Sequence, residues 1–148
     1  MAATAATARS ERANAVDGAL AGTLAGLATG ALAARLDMLP TLGMVIGSHS
    51  AIVGGFVHLI LAAALGALFG VYLGPATHLR DLITAGLLYG IVWWLIVPLV
   101  LIPAWITENT SLVVVQFAVL SMAGQAIYGP ICGALVYVLR ARRTHSTR

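Results

Sequence analysis

Four long apolar stretches joined by short loops take up almost all of this 148-residue chain. They run over residues 18–36, 51–73, 82–102 and 112–139. None holds an acidic residue, and basic side chains stand only at the ends, Arg35 in the first and Arg140 just past the fourth. A bilayer's hydrocarbon core is crossed by about 20 apolar helical residues. Each stretch meets that length, so the expected fold is all-α: a polytopic membrane protein with four transmembrane helices and almost no soluble mass. The pattern predicts a single transmembrane domain, with residues 1–16 a flexible N-terminal tail, 17–140 a four-helix bundle and 141–148 a basic C-terminal tail.

Charge gives the orientation. The chain is 60% hydrophobic and only 9% charged, where a soluble domain carries about 25% charged residues. All eight basic residues are arginine, a bias that with the abundant Ala and Gly points to a GC-rich bacterial genome. In a four-span topology Arg9, Arg12, Arg80, Arg140, Arg142, Arg143 and Arg148 fall on one side, and Arg35 alone on the other. Short Arg-rich loops stay cytoplasmic. The expectation is therefore a multi-pass protein of the bacterial inner (cytoplasmic) membrane with both termini cytoplasmic. The net charge of +3 then reads as lipid-facing, with the stretch from Arg140 to Arg148 on anionic headgroups and no nucleic acid as partner. Arg9 and Arg12, the run from Gly18 and Ala31-Leu32-Ala33 also match the three parts of a signal peptide; an uncleaved first helix is the expectation.

Glycines recur at helical spacing. Gly18, Gly22, Gly26 and Gly30 step through the first stretch, Gly66, Gly70 and Gly74 through the second, Gly86 and Gly90 open the third, and Gly129 and Gly133 sit in the fourth. Residues four apart share a helix face, and glycine there lets two backbones approach closely. The expected partners for these grooves are helices of a second copy or of another membrane protein, and the first helix is expected to be the most enclosed. A shift of 67 residues lays Ala51 onward over Ala118 onward with six identities in 23 positions, among them Gly66-Ala67-Leu68 on Gly133-Ala134-Leu135. Two tandem αα-hairpin repeats are one reading of that match. On it, residues 112–117 become a lead-in at the outer surface.

At about 1.5 Å per residue, His58 lies roughly 10 Å below the outer end of the second helix. Gln125 takes the same depth through the repeat alignment. Trp93 and Trp94, twelve and thirteen residues from Asp81, reach that level from the other side, with Thr29 beside them. Polar side chains in lipid normally face a bundle interior and mark function. The functional reading is a mid-membrane site of His58, Gln125, Thr29 and an aromatic wall of Trp93 or Trp94. The structural reading is that His58 and Gln125 bond each other or a Ser/Thr across helices. Pro98 and Pro130 are expected to kink their helices.

Other patterns point to no catalytic centre and no cofactor. No carboxylate sits in the spans for a proton relay. Only His58 is well inside a span, where a bis-His heme needs two imidazoles; His49 with Asp37 or Glu108 is a metal set only if the fold gathers them. The single Cys132 excludes an internal disulfide.

Tyr89-Gly90-Ile91-Val92-Trp93-Trp94, the following Pro98-Leu99-Val100-Leu101-Ile102-Pro103, His58 and Ile127-Tyr128-Gly129 together resemble an uncharacterised bacterial family of small four-span membrane proteins, and more loosely the YagU-like inner-membrane proteins. The resemblance spans about residues 18–140 and brings no established activity. In that pattern a His precedes the fourth helix's Ile-Tyr-Gly, where this chain has Gln125; the resemblance thus implies one lost imidazole and puts a heme or metal role in doubt. The leading expectation is a non-enzymatic accessory or scaffold subunit. The alternatives are a transporter of a small neutral or apolar solute and a redox subunit using His58.

Overall fold

The computed structural model describes residues 2–73, 78–97 and 111–146. Gly74, Pro98, Pro103, Trp105 and Glu108 lie outside the described residues. The described chain is helical: α1 (Ala2–Arg35), α2 (Leu39–Gly43) running into a 3-10 turn (Met44–Ile46), α3 (Ala51–Tyr72), α4 (Leu79–Ile96) and α5 (Ser111–Ser146). Four helices are long and apolar enough to cross a membrane, over Ser10–Arg35, Ala51–Tyr72, Leu79–Ile96 and Val115–Arg143. In hydrocarbon each backbone N–H and C=O must find its partner within the protein, which a helix does by itself. The protein is an all-α, multi-pass membrane protein.

Its packing is the reverse of a soluble bundle. Large apolar side chains point outward at helical spacing: Val16, Leu20, Leu24 and Leu27 on α1, Ile52, Phe56 and Ile60 on α3, Leu88, Val92 and Leu95 on α4, Val115, Val119 and Met122 on α5. Such stripes suit lipid contact and exceed what a water-soluble surface carries. The inward faces are small. α1 packs on α3 and α4 on α5, forming two hairpins, and α1 against α5 joins them. α1 is the most enclosed of the four, though it keeps its outward leucine stripe.

Each hairpin closes by the same device. A Cβ at Gly18 would run into the Gly66 carbonyl, and one at Gly66 into that of Gly18. Gly86 and Gly129 stand in the same reciprocal relation. Gly22 over Ala62 has its counterpart in Gly86 over Gly129, and Gly18 over Gly66 in Leu82 over Gly133. The matching positions lie 67 residues apart on the second helix of each hairpin, and 64 on the first. Gly18, Gly22, Gly66, Gly70, Gly86, Gly90, Gly129 and Gly133, expected to receive partner helices, thus meet the protein's own backbone. Phe69, Leu82, Cys132 and Val136 complete a dry core in this half of the bundle.

Two boundaries differ from the sequence expectation. α1 begins at Ala2, so most of the supposed flexible tail is helix. Alanine is the strongest helix former and abounds there, and a tether holds the segment in place. Arg143 reaches Asp17 at 2.6 Å and Asn14 Oδ1 at 3.1 Å. Arg140 donates to the carbonyls of Gly70 (2.7 Å) and Leu73 (3.2 Å), satisfying the C-terminal end of α3 where orphan carbonyls collect. Two arginines expected on lipid headgroups therefore turn toward the protein. Residues 112–117, expected as a surface lead-in, belong to α5, which continues through Pro130.

At the opposite end α1 stops in a Schellman motif. Met38 N–H bonds the Ala33 carbonyl (2.9 Å) and Asp37 N–H that of Ala34 (3.3 Å), with Asp37 at φ 53° in the left-handed position that glycine usually takes. This reversal lays α2 back over the bundle, where Met38 and Leu42 pack with Ala33 and Phe117. A Cβ at Gly54 would overlap the Leu39 carbonyl, so α2 can sit directly on α3 only because residue 54 is glycine.

Candidate binding cavity between the helices

Below α2 the four long helices part around a cavity of about 270 Å³. Leucines, with Ala33, Val97 and Phe117, form most of its wall, and Met38 and Leu42 close the end under α2. The polar lining comes from every long helix: Thr29 on α1, His58 on α3, Trp93 on α4, and Ser121, Gln125 and Tyr128 on α5. Thr29, His58, Trp93 and Gln125, singled out by depth alone, therefore share one cavity. Trp94 does not line it. Neighbouring residues on a helix point about 100° apart, and Trp94 instead donates its indole N–H to the Ala118 carbonyl at 2.7 Å, tying α4 to α5.

His58 sits in a bonded position. Its Nε2 lies 3.0 Å from the Gly26 carbonyl and 3.3 Å from Thr29 Oγ1. A carbonyl only accepts, so this geometry assigns the ring proton to Nε2. The imidazole thus bridges α3 to α1 through a carbonyl and a Thr. No bond between His58 and Gln125 exists among the described residues, although both face the cavity. The other hydroxyls are also bonded to backbone: Thr29 donates to Ala25 O (3.1 Å), Ser121 to Ala118 O (3.0 Å) and Tyr128 to Ala62 O (2.6 Å). Their donors are spent, and lone pairs are what they retain for a ligand. Gln125 Oε1 is buried and has no hydrogen-bond partner among the described residues, an unmet acceptor in a region where each such group is costly.

Tyr128 and Gly124 were missed by reading depth from helix ends. Their signal is a face: Ser121, Gly124, Gln125 and Tyr128 fall at i, i+3, i+4 and i+7, the spacing of one helical stripe. Tyr128 also spans the bundle, and Tyr89 makes the parallel bond one turn on, to Leu65 O at 2.7 Å. Its ring packs 5.1 Å from Phe69 and 6.0 Å from Trp93, centroid to centroid. The α2 cap was missed too, although residues 38–46 are largely apolar for a loop.

The glycines around the cavity behave differently from those of the dry half. A Cβ at Gly30 would meet only the His58 ring, 3.1 Å from Cδ2, and one at Gly124 would meet nothing within 4 Å. Among the described residues no group of three or more His, Cys, Asp or Glu gathers as a metal set. Compared with protein-family models, with curated proteins and with solved structures, the chain matches none.

Proposed function

We propose that this protein is a non-catalytic binding protein of the bacterial cytoplasmic membrane, both termini cytoplasmic, that takes up a small, largely apolar molecule carrying a hydrogen-bond donor. The cavity carries this reading. An apolar cavity of about 150 Å³ accepts benzene, so about 270 Å³ suits a molecule of one substituted ring or two fused ones. Four groups on the wall have committed their donors to backbone carbonyls, and Gln125 Oε1 has no partner, so a hydroxyl or N–H on the ligand finds acceptors waiting. Recognition by a mostly apolar wall with few placed polar groups is the ordinary design of a small-molecule site. The orientation rests on the one-sided distribution of arginine.

A scaffold docking partner helices on its glycine stripes draws less support, since those stripes are filled by α1 against α3 and α4 against α5. A redox role through His58 draws less as well, because among the described residues that line the cavity no second histidine faces it.

The test is saturable quenching of tryptophan fluorescence by 4-bromophenol in proteoliposomes of a Trp94→Phe/Trp105→Phe background, which leaves Trp93 on the cavity wall as reporter. Saturation, its loss in Gly124→Leu, and at least tenfold weaker binding of bromobenzene are expected. Quenching that rises without saturation and is the same in Gly124→Leu overturns the reading.

A further inference from the structure

A second space of about 230 Å³ lies on the outer side of α1 and α3. Leu27, Ile52 and Phe56, which edge it, are each more than half exposed, so it opens where lipid would lie. His58 lines this groove and also lines the interior cavity. We infer that the groove is the entrance by which the ligand passes from the bilayer into the cavity, with the His58 side chain as its gate. The inference rests on the binding reading above and adds the route.

Three observations support it. First, the groove exists because side chains are missing where they would fill it. A Cβ at Gly30 would meet only His58, and one at Gly55 only Leu39 Cδ1, at 3.8 Å. Farther along the same helix pair Gly18, Gly22, Gly66 and Gly70 meet backbone and leave no space. Second, the side chain between the two spaces is held by few bonds. His58 reaches α1 only through Nε2, to the Gly26 carbonyl and Thr29 Oγ1. Interhelical hydrogen bonds in membranes are modest, and a change of χ1 to another staggered rotamer gives both up without moving a helix. Third, among the described residues no Asp, Glu, Lys or Arg lines either space. A neutral molecule already concentrated in lipid meets no ionised group on the way in.

The test separates route from site. Gly55→Leu plugs the groove from a position that does not line the cavity; Gly124→Leu fills the cavity from a position that does not line the groove. Neither new Cβ is crowded, so both variants are expected to fold. The rate of Trp93 quenching is followed by stopped flow after proteoliposomes are mixed with vesicles loaded with 4-bromophenol. Gly55→Leu is expected to slow association and dissociation together by tenfold or more while Kd stays within twofold. His58→Ala is expected to speed both. Unchanged rates in Gly55→Leu, with binding lost in Gly124→Leu, overturn the entrance and leave the cavity standing. A wild-type signal no different from Gly124→Leu removes the cavity, and the entrance falls with it.

Discussion

The two halves of the bundle use the same small residue for opposite ends. Near the termini, Gly18, Gly66, Gly86 and Gly129 bring backbone against backbone, and around them Phe69, Leu82, Cys132 and Val136 are sealed from solvent and lipid. Toward α2, the same four-residue steps end at Gly30, while Gly55 and Gly124 lie nearby, and the helices separate around a cavity and a groove. The partner decides the outcome. Where a glycine faces backbone or an alanine the helices close; where it faces only the His58 ring, the end of the Leu39 side chain or nothing, the missing side chain becomes space. Close packing in one half keeps the helices fixed while the other half stays open enough to hold a ligand.

The largest effect expected from breaking this contrast is in the dry half. Gly66→Ala places a methyl against the Gly18 carbonyl and the Gly22 Cα, and no rotamer relieves a Cβ overlap with backbone. Overpacking of this kind costs about 3 kcal/mol, read as a shifted midpoint in unfolding by SDS in mixed micelles. Gly86→Ala, which meets the Gly129 carbonyl in the second hairpin, is expected to match it. A cost below a third of that in either variant would mean the hairpins are not held by backbone contact.

Next in size is the tether at the termini. Arg143→Ala leaves Asp17, whose side chain is 14% exposed, without its 2.6 Å partner. Breaking a fully buried pair costs about 3–5 kcal/mol. Arg143 is itself 37% exposed, so solvent screening reduces the expectation to about 1–2 kcal/mol. The Asp17→Asn/Arg143→Ala double variant should recover part of the loss in the same titration. Equal stability of wild type and Arg143→Ala would return this arginine to the lipid headgroups, where its charge alone first placed it.

A smaller effect tests the border between the halves. Tyr128→Phe removes the bond to the Ala62 carbonyl. Membrane hydrogen bonds average about 0.6 kcal/mol, so the same unfolding titration should move only slightly. Ligand affinity should respond differently, because the Tyr128 side chain also lines the cavity: 4-bromophenol binding is expected to weaken several-fold. Intact affinity would exclude Tyr128 from the site.

How much of this was legible in the sequence follows the same division. Span number and the depths of His58 and Trp93 come from counting, because the helical rise is nearly constant and long apolar runs leave no other structure in lipid; Gln125 was placed by the 67-residue alignment on His58. Rotation about the helix axis is harder to read: the choice of Trp93 over Trp94 depends on a 100° step set by neighbours. Hardest is what a glycine faces. Gly22 and Gly30 stand at the same four-residue steps, yet one lies on Ala62 and Gly66 and the other on His58, a difference set by the crossing of α1 with α3. The α2 cap depends on Asp37 adopting a left-handed conformation, a preference shared by too many Asp residues in turns to be decisive in sequence.

The smallest expected effect has the most informative sign. In a helix interior Gly is less favourable than Ala by about 0.5–1 kcal/mol, a gain that Gly66→Ala and Gly86→Ala lose many times over to overlap. At position 124 the helix is the same and the overlap is absent, since nothing lies within 4 Å of the new Cβ. Gly124→Ala should therefore raise stability by about 0.4 kcal/mol in the titration that shows the other two falling. The methyl enters the cavity, so 4-bromophenol binding should weaken as the fold grows firmer. A protein that keeps a helix-weakening residue where alanine would fit is retaining space, and opposite signs in stability and affinity would identify that space as the property retained. If Gly124→Ala instead destabilises the fold, α5 is packed at this point as it is at Gly129, and the two halves of the bundle are not different in kind.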